Sequence, residues 1–160
     1  MFHHDSECFE LNPVTWYVLA TYGVTVRGPS AGELVVETDV EQRIRFVVDN
    51  LVDYWLPLAG VIRGAVAEDG RERVGPDFLE WCALGPLRLH YTAFTGDVTS
   101  KTGAGVHGLG VAPQQFHPVL AEALAARAGT RPDGAVSTAT MTSVADLIDW
   151  CVAEVQAASR

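Results

Sequence analysis

Cysteine is scarce in this chain: three in 160 residues, at Cys8, Cys82 and Cys151. They are far apart and odd in number, and no Cys-x-x-Cys spacing exists, which argues against a disulfide framework and a zinc site. Buried free thiols in a reducing cytoplasm are the plain expectation. Basic residues are also few, 11 against 20 acidic ones, for a formal net charge of -9. A phosphate backbone needs a continuous basic surface, so nucleic-acid binding is disfavoured, and an anionic membrane surface for the same reason. No apolar run reaches the ~18 residues of a membrane span. Met1 is not followed by a basic and then apolar stretch, so no signal peptide is read.

Several motifs are missing too. There is no Gly-x-x-x-x-Gly-Lys-[Ser/Thr] loop, no His-Glu-x-x-His and no Gly-x-Ser-x-Gly. Nor is there an Asp-x-Asp pair to hold the magnesium that phosphoryl or nucleotidyl transfer normally requires. Cations without such carboxylates can bind a nucleotide but are not expected to react it. What is present is a chain 48% apolar and 19% charged, which reads as one soluble globular domain with a real core. Its acidity favours a cationic partner, such as a polyamine-like or aminoglycoside-like molecule.

The hydrophobic pattern predicts an all-α fold: an antiparallel bundle of about five helices, preceded by a short α/β extension. The extension covers residues 1–35 and the bundle residues 36–160. Asn12-Pro13 starts a first helix that Gly23 ends, with Trp16, Val18, Leu19 and Tyr22 on its apolar side. Val24-Thr25-Val26 is short and β-prone. This piece is too small to fold alone, so its apolar face predicts a homodimer or loose packing. Asp39 caps the next helix, which Pro57 kinks and which continues to about Val66. Pro76 or Asp77 opens a helix through Phe94 that is apolar nearly all round, with Gly85-Pro86 predicting a kink; it reads as the buried centre. Short helices follow Ser100, weakened by Gly103, Gly105 and Gly108, and follow Pro113, stopped by Gly129. The last helix is predicted over roughly Ser143 to Ala158.

The chemically informative stretch runs from Arg88 to Lys101. Arg88 lies near the end of an apolar helix, Thr95-Gly96 breaks that helix, and Ser100 caps a new one whose first residue is Lys101. A helix start offers unpaired N–H groups and a positive dipole end, so an anion can settle there. Arg88 and Lys101 together would form a small polyphosphate clamp. A buried, unpaired guanidinium would cost several kcal/mol, so Arg88 is expected to meet an anion: a ligand, or equally a carboxylate such as Asp49, Asp53 or Glu80. His90 and His107 read as hydrogen-bonded core residues, His117 as a turn residue, and Trp16, Trp55, Trp81 and Trp150 as packing. His3 and His4 beside Asp5 read as exposed. Asp69, Glu72 and Asp77 form a charged loop, or a rim attracting a cation.

From about Leu84 to Arg127 the chain resembles the C-terminal helical domain of streptomycin/spectinomycin adenylyltransferases. The resemblance rests on Arg88 with Tyr91, Thr95-Gly96, Ser100-Lys101, Pro113, Phe116, Pro118 and Glu122 in compatible spacing. The segments Phe9 to Trp16 and Asp53-Tyr54-Trp55 look like the wider family. The resemblance implies that ATP, as co-substrate, meets Arg88 and Lys101 through its phosphates, with Arg127 standing where the family has a tyrosine. It implies that Asp69 and Asp77 are the nearest candidates for contacting a cationic aminoglycoside. The family's Gly-Ser motif, magnesium-binding Asp-x-Asp and catalytic glutamate lie in a preceding domain not found here, so no catalytic residue is assigned. The implied role is that of a substrate- and ATP-binding half, inactive alone, whose magnesium would come with a separate catalytic domain. A free-standing binding module and a non-catalytic interaction domain are the alternatives.

Overall fold

The computed structural model describes residues 11–30, 32–34, 36–68 and 74–158. Cys8, His3, His4, Asp5, Asp69 and Glu72 lie outside them. The described residues are helical and contain no strand. The helices are α1 (Pro13–Tyr22), α2 (Val40–Asn50), α3 (Leu56–Ala67), α4 (Pro76–Thr95), α5 (Lys101–Val111), α6 (His117–Arg127) and α7 (Thr138–Ala158). The β-prone Val24-Thr25-Val26 forms no strand; Val24 and Val26 are almost fully exposed. With no partner strand to take its backbone groups, β-propensity alone cannot hold the segment.

Local rules account for most boundaries. Asn12 accepts from the backbone N–H groups of Val14 and Thr15, both at 3.0 Å, and Asp39 from that of Glu41 at 2.8 Å. Pro57 stands in the first turn of α3. A π-turn over Leu51–Trp55 precedes it, in which the Leu56 N–H reaches the Leu51 carbonyl, widening the coil where a proline ring would otherwise clash one turn back. Gly96 closes α4 in the left-handed conformation, φ 71°. The last helix starts at Thr138, five residues before the expected Ser143, because the Ser137 hydroxyl accepts the Thr140 N–H at 3.0 Å and nucleates another turn.

Helix α4 is the centre of the bundle, packed against α2, α5, α6 and α7, while α3 lies along α7. Its Leu79, Cys82, Ala83, Leu84 and Leu87 are fully buried, as are Leu120 of α6 and Val144, Leu147, Ile148 and Cys151 of α7. Each buried Leu or Ile contributes roughly 1.5–3 kcal/mol of transfer free energy. The glycines of α5 are spacing elements. A Cβ at Gly105 would come within 2.5 Å of Leu124 Cδ2, and one at Gly108 within 2.8 Å of Leu87 Cδ1. Their helix-propensity cost is the cost of bringing α5 close to α6 and α4.

Helix α1 buries none of its residues; Trp16, read from the sequence as a packing residue, is 39% exposed. It is held by polar contacts instead. Arg43, at only 4% exposure, donates from Nε to the Gly96 carbonyl at 2.8 Å and from Nη2 to the same oxygen, and its guanidinium carbon lies 3.8 Å from the centre of the Tyr17 ring. The Tyr17 and Tyr22 hydroxyls donate to Asp97 Oδ1 at 3.0 and 3.1 Å. The Val98 backbone N–H, first, and these hydroxyls hold the Asp97 carboxyl below its ordinary value. Arg43 therefore ties α1 to the α4–α5 corner.

Candidate functional site

A cleft of about 390 Å³ opens at that corner. Helix α4 lines it with Trp81, Gly85, Arg88, Leu89 and Thr92, the α4–α5 loop with Val98 and Thr99, and α5 with Lys101. Phe46, Asn50 and Trp55 come from α2 and the π-turn; Asn12, Val14 and Thr15 come from the start of α1. Its volume lies in the range of small-molecule sites, roughly 300–1,000 Å³.

Arg88 and Lys101, on either side of the Gly96 bend, thus reach one cavity. Arg88 is not buried, contrary to the expectation from its apolar helix. It sits on the one edge of α4 that faces the cleft, exposed, with Nε donating to the Thr99 carbonyl at 3.0 Å. Among the described residues no carboxylate pairs with it, and Asp49, Asp53 and Glu80 do not. That bond fixes the guanidinium against the loop leading into α5. Among the described residues the buried arginine is instead Arg43 of α2.

Lys101 has an internal partner. Its Nζ lies 2.8 Å from Glu80 Oε1, and Arg127 Nη1 lies 3.2 Å from the same oxygen. Lys101, then burial working against it, then Arg127 act on Glu80, and its carboxyl is held below the usual value. The third expected phosphate contact, Arg127, thus joins the cluster through Glu80 but does not line the cleft. Asp77 is exposed in the first turn of α4 and does not line the cleft either. There a carboxylate stabilises the positive end of a helix. Asp69 falls outside the described residues.

Trp55 and Trp81 form one wall, with ring centroids 5.0 Å apart, and Tyr54 and Phe78 pack on Trp81 at 6.2 and 5.6 Å. Sequence spacing had assigned both tryptophans to packing; Trp55 is indeed buried, yet both border the cavity. The signal that could have marked them was Gly85, whose absent side chain leaves room for the Trp55 ring.

His90 is a hydrogen-bonded core residue as expected, His107 is only half-buried, and His117, read from the sequence as a turn residue, instead stands in a helix. His90 is buried, its Nδ1 3.1 Å from His107 Nε2, and its ring stacks on Trp150 at 4.9 Å. Its Nε2 is buried with no partner among the described residues. Burial, and secondarily His107, push its pKa down to about 4, so it is neutral in the fold. His117 opens α6. Among the described residues no group of three or more His, Cys, Asp or Glu could hold a metal, and no helix is long and apolar enough to cross a membrane. Cys82 and Cys151 are free and buried.

The fold and cleft define a helical protein with a cationic, aromatic-walled pocket. Comparison with protein-family models, curated proteins and solved structures finds no match.

Proposed function

We propose that the cleft binds a nucleoside polyphosphate, with ATP the first candidate, and that this chain acts as the ligand-binding helical half of an aminoglycoside adenylyltransferase-like system. The observation carrying this reading is the convergence of Arg88 and Lys101 on one cavity beside Trp55 and Trp81. A guanidinium and an ammonium at the start of a helix suit phosphate oxygens. The aromatic wall suits an apolar ring system, and the Asn12, Asn50 and Thr15 side chains offer polar edges.

Among the described residues no carboxylate lines the cleft, so they do not fit a magnesium ion. Adenylyl transfer to a cationic aminoglycoside would need a separate catalytic domain. Asp77 stays a candidate for the drug only as an acidic approach to α4, since it lies outside the cleft; Asp69 stays a candidate on the resemblance alone. The exposed Trp16, Val24 and Val26 would then be covered by that domain or by a second copy of the chain.

One feature favours a second reading, a stand-alone binding module: α1 already supplies Asn12, Val14 and Thr15 to the cleft wall. Calorimetry of the purified chain against ATP tests both readings. Binding in the micromolar range is expected, with Arg88→Ala weakening it about tenfold, the scale of one charge-assisted contact. Lys101→Ala should also weaken it, because the cleft then has one cation fewer. Unchanged affinity in both variants would refute the phosphate clamp. Adenylylated streptomycin or spectinomycin formed by the chain alone with ATP and magnesium would refute the need for another domain.

A further inference from the structure

We infer that Glu80 is a built-in competitor at the cationic corner, weakening the hold on polyphosphate and setting how steeply the cleft discriminates by ligand charge. This rests on the nucleotide reading and adds a specificity-determining residue to it. Among the described residues Glu80 is the one carboxylate paired with the clamp: Oε1 takes Lys101 Nζ at 2.8 Å and Arg127 Nη1 at 3.2 Å. Its side chain is 12% exposed, so water screens its charge far less than that of a surface glutamate.

An ammonium has three hydrogens and can give one to Glu80 and another to a phosphate. A phosphate gripped by Lys101 therefore sits within a few ångströms of the Glu80 carboxylate. The repulsion grows with the charge the ligand brings, since each added negative charge meets the same fixed one. Removing the charge while keeping the shape must then tighten a triphosphate more than a monophosphate. Arg88 keeps its own bond to the Thr99 carbonyl in such a change, because among the described residues no ion pair joins it to Glu80.

The test uses the full chain with ATP, AMP and inorganic tripolyphosphate, without divalent ions, for wild type, Glu80→Gln and Glu80→Asp. The Gln variant should bind ATP and tripolyphosphate on the order of tenfold more tightly, and AMP about threefold or less, by the charge dependence of Coulomb attraction. The Asp variant keeps the charge and should stay within about threefold of wild type. Should Glu80→Gln not fold, Glu80→Ser gives the same readout. A folded, neutral variant that binds ATP no more tightly than a binding wild type overturns the competitor role and makes Glu80 a support for Lys101. Wild type and variants that all ignore ATP and tripolyphosphate overturn the nucleotide reading itself.

Discussion

Gly85→Ala sets two effects of known sign against each other. Gly85 lies inside α4, where alanine is favoured by up to about 1 kcal/mol. Against this, a Cβ at Gly85 would lie 2.5 Å from Trp55 Cη2 and 2.6 Å from Cζ2, whereas carbon contacts settle at roughly 3.5–4.0 Å. The ring must move by about 1 Å. It is a rigid indole, only 5% exposed, with Tyr54 and Trp81 rings at 5.4 and 5.0 Å. Overpacking of this kind costs roughly 1–3 kcal/mol, so the clash outweighs the propensity gain and a net loss of about 1 kcal/mol is expected. The direction with space is into the cleft, which the ring also borders, so ATP affinity should fall together with stability. Gly60→Ala is the control: exposed, within α3, with nothing within 4 Å of its Cβ. It should gain a few tenths to about 1 kcal/mol. Urea unfolding followed by tryptophan fluorescence reads both. If Gly85→Ala gained stability as Gly60→Ala does, with an unchanged native spectrum, Trp55 would not occupy the position argued for it, and the aromatic wall would go with it.

The buried His90 makes folding pH-dependent. Its pKa falls from 6.5 to about 4 on folding, so the folded state binds its proton less readily than the unfolded state does. Its contribution is complete above about pH 6.5 and declines as pH falls toward 4. Between pH 6.5 and 5, above the range of most carboxylates, His90→Phe should flatten the stability profile; a profile as steep as wild type would place the dependence elsewhere. Arg43→Met should release α1, because the Gly96 carbonyl loses both donors and Tyr17 its cation. Losing a charge-assisted hydrogen bond of this kind costs about 1.5–3 kcal/mol, so amide exchange in residues 13–22 should accelerate while α7 stays protected; unchanged exchange in α1 would refute the tether.

Helices and their ends were legible in the sequence because capping and breaking are local chemistry. Asn12-Pro13, Asp39, Ser100 and Gly96 act on groups within about one turn, and the structure uses each of them as read. The start of α7 was missed by five residues because Ser137 lies in a run of small polar residues, and the sequence does not say which of them takes the capping bond that Ser137 makes to the Thr140 N–H. The strand at Val24 was misread because a strand is a pairing, and nothing local states whether a partner exists.

That Arg88 and Lys101 line one cavity follows from the helix-break-helix order, since a bend of a few residues can turn two neighbouring helices onto one corner. The environment of each cation does not. Whether an arginine on an amphipathic helix faces solvent, a carbonyl or a carboxylate depends on what packs across from it, and that is set by residues tens of positions away. So Arg43 is buried on Gly96, Arg88 is exposed beside the cleft, and Glu80 holds Lys101 and Arg127. The sequence alone determined the helices, their order and the bend between α4 and α5, because those follow from short-range steric and capping preferences. Only the tertiary structure decided which charges meet, because Coulomb partners and burial belong to surfaces that exist once the helices have packed.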